Sequence, residues 1–127
     1  MTNEERALKA SELKATGKCN CCQAVLKVYE DKINVDDASL MTLGVGYAAG
    51  MGCMESTCGA LIGAVMVAGF LTGGKGTPSA AKSLVNDFKT KSGALICKEL
   101  KGIETGKVLC ECKHCVKHAV EALERFE

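Results

Sequence analysis

The chain has no tryptophan, a single proline and only 4% aromatic residues. Without aromatic faces interleaved with basic residues there is no platform for stacking bases, so no nucleic-acid partner is expected. Neither sign of charge is in excess. Sixteen Lys and Arg against 15 Asp and Glu leave a formal net charge of +1, too little for a polyanion or an acidic membrane surface. Strand-like alternation of apolar and polar residues is missing too, which leaves helices as the building material. The opening Met1-Thr2-Asn3-Glu4-Glu5-Arg6 is charged and lacks the apolar core of a secretory signal, so a cytoplasmic location is expected. A length of 127 residues suits one domain, residues 1–127, and is short for two.

Cysteine is what the chain has in quantity: nine residues, an odd number that no closed disulfide framework accounts for. In a reducing compartment so many thiols point to metal binding or redox chemistry, since idle thiols are exposed to oxidation. The plainer reading treats them as small core residues.

Helical spacing organises the rest. Thr2 to Ala15 reads as an amphipathic helix with Ala7, Leu8 and Leu13 on one side, and residues 1–16 form an N-terminal segment ahead of the cysteines. Asn20 caps a second helix through Val25, Leu26 and Tyr29 toward Ile33, and Asp36 or Asp37 caps a third containing Leu40, Met41 and Leu43. The glycine-rich stretch Gly44 to Gly52 is a poor helix former. A fourth helix runs from near Cys58 to Leu71. Thr77-Pro78 starts a fifth, with the hydroxyl as cap and Leu84, Val85 and Phe88 facing inward, and Gly93 closes it. A short piece from Cys97 to Leu100 precedes a final helix over Cys112 to Phe126, with Val116, Ala119, Val120 and Leu123 inward. The expected fold is all-α, a compact bundle of five to six helices. Ser56 to Gly74 carries no charge and contains Gly59-Ala60-Leu61-Ile62-Gly63. Its glycines and hydroxyls, and the lack of flanking belts, favour a buried helix packed through small residues over a membrane span.

The cysteines fall into Cys19-Asn20-Cys21-Cys22, the pair Cys53 and Cys58, the single Cys97, and Cys110-Glu111-Cys112-Lys113-His114-Cys115. Several open a helix, where unpaired N–H groups and the positive dipole end lower a thiol pKa and stabilise an anionic cluster. Cys19/Cys22 and Cys112/Cys115 form C-x-x-C pairs, which suit either a dithiol–disulfide couple or two ligands of one metal group. The C-x-C steps Cys19/Cys21 and Cys110/Cys112 fit clustered ligation better. Zinc stays open, although the hairpins that usually present zinc pairs are not visible. His114 and His118 could join Cys115 in a mixed site or simply face solvent. Glu55 could donate a proton or ligate, with a helix-start carboxylate as the plainer account. Met41, Met51, Met54 and Met66 read as core fillers.

Several of these residues also follow a known pattern. Asn20-Cys21-Cys22-Gln23-Ala24-Val25, Cys58-Gly59-Ala60-Leu61-Ile62-Gly63-Ala64, Cys97-Lys98-Glu99-Leu100 and Cys115-Val116-Lys117-His118-Ala119 occur in this order. Together they resemble a small bacterial and archaeal family named for its C…GCAxxG…C…C cysteines and described as redox-active. The resemblance covers residues 17–123. It implies a helical redox domain without a defined substrate, and signature cysteines at Cys22, Cys58, Cys97 and Cys115. Cys19, Cys21, Cys53, Cys110 and Cys112 are additional and lie within a few residues of those four, which makes them accessory ligand candidates. The expectation is an iron–sulfur cluster held by Cys22, Cys58, Cys97 and Cys115 and used in electron transfer. A metal-free thiol–disulfide protein using the same four thiols is the alternative, and a zinc module a second one. A redox partner protein or a small reductant is implied. An oxidoreductase activity stays open, and the GxxxG face or the first helix could support a homodimer.

Overall fold

A computed structural model describes all 127 residues, Met1 to Glu127. Eight α-helices follow one another: α1 (Asn3–Ala15), α2 (Cys21–Lys27), α3 (Glu30–Ile33), α4 (Asp37–Gly44), α5 (Gly59–Leu71), α6 (Thr77–Ser92), α7 (Cys97–Lys101) and α8 (Cys112–Ala122). The all-α expectation holds: no strand forms, and the only β-type pairing is an isolated antiparallel bridge between Thr57 and Ile96.

Local chemistry sets the helix ends. Thr2 and Glu5 form a reciprocal capping box at the start of α1, and Asn20 and Gln23 form another at the start of α2. The second box also reaches outward. Asn20 Nδ2 donates to the Gly44 carbonyl at 3.0 Å and Gln23 Nε2 to the Met41 carbonyl at 2.9 Å, which fixes the first turn of α2 to the end of α4. All 13 residues of α5 are apolar or glycine, as expected for a helix surrounded by others. Its Gly59 and Gly63 face α2: a Cβ on Gly63 would lie 3.0 Å from the Cys22 carbonyl oxygen and 3.2 Å from Val25 Cβ. The GxxxG face is therefore used inside the fold, and no helix is long and apolar enough to cross a membrane.

Several expectations need correction. Leu8 is exposed, and the buried face of α1 is Arg6, Ala7, Ala10 and Leu13. The second helix does not continue to Ile33. It stops at Val28, whose carbonyl accepts a hydrogen bond from the Arg6 guanidinium, and Tyr29 leaves helical geometry at φ −112° and ψ 6°. Thr77 does not cap α6: its hydroxyl pairs with that of Thr72 at 2.7 Å, and Gly76 occupies the cap position. Met51 lies exposed instead of filling the core. The last helix ends at Ala122 and tightens into a 3₁₀ turn over Leu123–Phe126.

Arg6 organises one end of the core. Its side chain is 1% exposed, yet it meets Asp31 in two hydrogen bonds of 2.7 and 2.9 Å and lies 4.9 Å from the Tyr29 ring centroid. Its Nε sits 3.6 Å from a Glu127 carboxylate oxygen, and that carboxylate also accepts from Asn3 Nδ2 at 2.6 Å. The forked guanidinium thus joins α1, α3 and the last residue of the chain.

Candidate functional site

The starts of four helices converge on one cavity of about 280 Å³. Cys21 is the first residue of α2, Cys58 precedes α5, Cys97 opens α7 and Cys112 opens α8, with Cys115 one turn further along. All five thiols line the cavity. The bridge between Thr57 and Ile96 explains how two of them come together. Cys58 N donates to the Leu95 carbonyl at 2.8 Å and Cys97 N to the Ser56 carbonyl at 2.9 Å, so α5 and α7 start side by side. Leu100, fully buried, then receives Leu109 N on its carbonyl at 2.9 Å and leads the chain toward α8. Backbone of Tyr47 to Gly50 closes another wall. Gly50 has φ +60°, and a Cβ there would approach Cys97 Cβ to 2.8 Å, so conformation and space both call for glycine.

Thiol contacts run in a series. Cys112 meets Cys21, Cys21 meets Cys58, and Cys58 meets Cys115. Cys97 stands beside Met54, whose sulfur lies 3.7 Å from its own. Proton affinities in the series run opposite to the lowering expected at helix starts. The Cys115 thiol contact and burial push Cys58 up to about 12. At Cys21 the Cys112 contact lowers the pKa, but the Cys58 contact and burial outweigh it and bring the value to about 11. Cys112 is raised by Cys21 and by burial. Removal of water and mutual crowding of sulfurs exceed the helix-dipole effect, because each added thiolate would face its neighbours' charge.

Two cations enter this thiol-lined space. Lys14 and Lys101 line it, and the Lys101 ammonium donates to the Cys112 sulfur. Burial opposes the charge of Lys101, but the sulfurs of Cys112, Cys21 and Cys97 outweigh it and raise its pKa. Neither lysine carries a recognisable motif. Helical spacing was the one available signal: Lys101 lies one turn beyond Cys97.

Four cysteines lie elsewhere. The Cys22 thiol is completely buried against the glycine face of α5, and burial alone raises it to about 12. Cys19 is buried 4.0 Å from the Met41 sulfur, Cys53 is exposed, and Cys110 lines a separate groove with His114 and His118. Glu55 pairs with Lys98 at 3.1 Å and does not line the cavity. None of the nine cysteines is in a disulfide.

The donor set bears on what the cavity could hold. Thiolates are soft ligands, suited to zinc and to iron–sulfur clusters. Four sulfurs on one tetrahedral zinc would lie about 3.8 Å apart, from a metal–sulfur bond of about 2.3 Å. No three His, Cys, Asp or Glu side chains are grouped closely enough to hold a single ion. Five thiols around a space of about 280 Å³ suit a group of several metal atoms better than one ion.

The model of one protein family, described as "putative redox-active protein (C_GCAxxG_C_C)", matches residues 19–126. No curated protein and no solved structure matches the chain.

Proposed function

We propose, from the premise that this chain belongs to the C_GCAxxG_C_C family, that it binds an iron–sulfur cluster in the five-thiol cavity and transfers electrons. One observation carries the reading: sulfurs from four separate helix starts face a single enclosed space that also contains two lysines. A thiol–disulfide couple needs only two sulfurs, and a zinc site needs a tighter group. A bound cluster supplies one-electron chemistry. Cys21, Cys58, Cys112 and Cys115 are the proposed ligands, since they form the contact series, with Cys97 as the fifth thiol within reach. Cys21 takes the ligand role in place of Cys22, which packs the α2–α5 contact. Lys101 and Lys14 offset thiolate charge, and Tyr47, Ala48 and Leu100 restrict water. The electron donor is a redox partner protein or a small reductant.

Paired variants test this assignment. After anaerobic reconstitution with iron and sulfide, Cys21→Ser should lose most bound iron and the broad visible absorption, while Cys22→Ser keeps both. Loading that survives Cys21→Ser and fails in a folded Cys22→Ser would reverse the assignment.

A further inference from the structure

Cys110 and His118 form a thiol–imidazole pair outside the cavity. Cys110 Sγ lies 3.8 Å from His118 Nδ1, and Ser92 Oγ lies 2.9 Å from the same nitrogen. Ser92, at the end of α6, is 2% exposed and its hydroxyl has no other side-chain partner. Cys110 itself is mostly buried, but it and His118 line an open groove of about 330 Å³ with His114, Leu109 and Lys91. The cavity thiols open to a different space, and Cys110 is not among them.

We infer that Cys110 is a second reactive centre, a nucleophilic thiol that exchanges with small disulfides entering this groove, with His118 as its base. The inference goes beyond the proposed cluster and does not depend on it. Burial lowers the His118 pKa, which leaves the ring neutral and able to accept a proton at neutral pH. Ser92 can donate to the neutral ring and accept from the charged one, so it serves the imidazole on both sides of a proton transfer. In the exchange, the Cys110 proton passes to His118 Nδ1 as Sγ attacks one sulfur of the disulfide. The disulfide S–S bond breaks and a Cys110 mixed disulfide forms. The departing thiolate takes the proton from the imidazolium and leaves as a thiol. Cys110 is oxidised, half of the small disulfide is reduced, and no further reactant is needed.

Cys53 provides an internal comparison, because it is exposed and has no imidazole beside it. If exposure alone set reactivity, Cys53 would react first. The anaerobically prepared full chain is treated at neutral pH with bis(2-hydroxyethyl) disulfide, and mixed disulfides are mapped by mass spectrometry over time. Cys110 should be modified at least about tenfold faster than Cys53, as expected for a positioned general base. His118→Gln should remove that advantage and leave the Cys53 rate unchanged, which also reports that the fold is intact. Ser92→Ala should slow Cys110 to a smaller degree. The inference is overturned if Cys110 reacts no faster than Cys53. It is equally overturned if Cys110 keeps its lead in His118→Gln.

Discussion

At the residue scale, side chains that look alike in sequence have sharply different surroundings. Cys21 and Cys22 are adjacent, yet one thiol lines a cavity with lysines and the other is sealed against a helix. The turn of a helix separates them: successive residues point about 100° apart, so only one of the two can face the bundle end. The resemblance to a family pattern could not make that choice, because both cysteines lie within it. Lys101 was equally hidden, an ordinary surface residue by sequence whose ammonium reaches Cys112. If the cavity holds a cluster, removing this charge by Lys101→Met should make the reduced state harder to reach. The midpoint potential should fall by on the order of 100 mV, from a charge interaction of about 2–3 kcal/mol at an effective dielectric near 20. Voltammetry of the loaded protein checks this, and an unchanged midpoint would place Lys101 away from the group. Arg6 supplies a second residue-scale prediction. Its guanidinium holds the Asp31 carboxyl down at about 2, below its unfolded value of about 3.9. The stability this contributes is present above about pH 4 and is lost as pH falls toward 2. Asp31→Asn should destabilise by about 1–2 kcal/mol at neutral pH, a range kept low because the carboxylate is largely exposed. The same variant should flatten the acid limb of stability in urea unfolding at stepped pH; an unaltered limb would contradict the pairing.

At the scale of elements, the packing of α2 on α5 positions the site. Capping by Asn20 and Gln23, and the glycines at 59 and 63, bring Cys21 and Cys58 to the same level of the bundle. These helices and their starts were legible in sequence, because caps and small-residue spacing are local signals. The break at Val28 was not, since it depends on Arg6 reaching across from another helix. Nor was the wall from Tyr47 to Gly50, where left-handed residues such as Ala49 and Gly50 follow a 3₁₀ turn. Two glycines on α5 test the packing account. Gly63→Ala places a methyl group against the Cys22 carbonyl and should cost about 1–3 kcal/mol. Gly69→Ala meets open space on the same helix and should gain about 0.5–1 kcal/mol from better helix propensity. Thermal melts of both variants read the difference; equal shifts would mean that the α2–α5 approach is not tight.

For the whole molecule, the helical bundle uses its length to bring sequence-distant cysteines to one end, while the Arg6 network ties the first helix to Glu127. The odd count of nine cysteines resolves into five on the cavity, three single buried or exposed thiols, and one beside an imidazole. That division is invisible in spacing alone, since Cys110 and Cys112 are two residues apart and face different spaces. The claim that matters most is the cavity's content. It is tested most directly by iron and acid-labile sulfide per chain in protein purified without oxygen. The account predicts a brown protein with iron and sulfide in equal amounts, both lost on acid treatment. A colourless, metal-free chain whose free-thiol count falls and recovers in pairs under mild oxidation and reduction would contradict it.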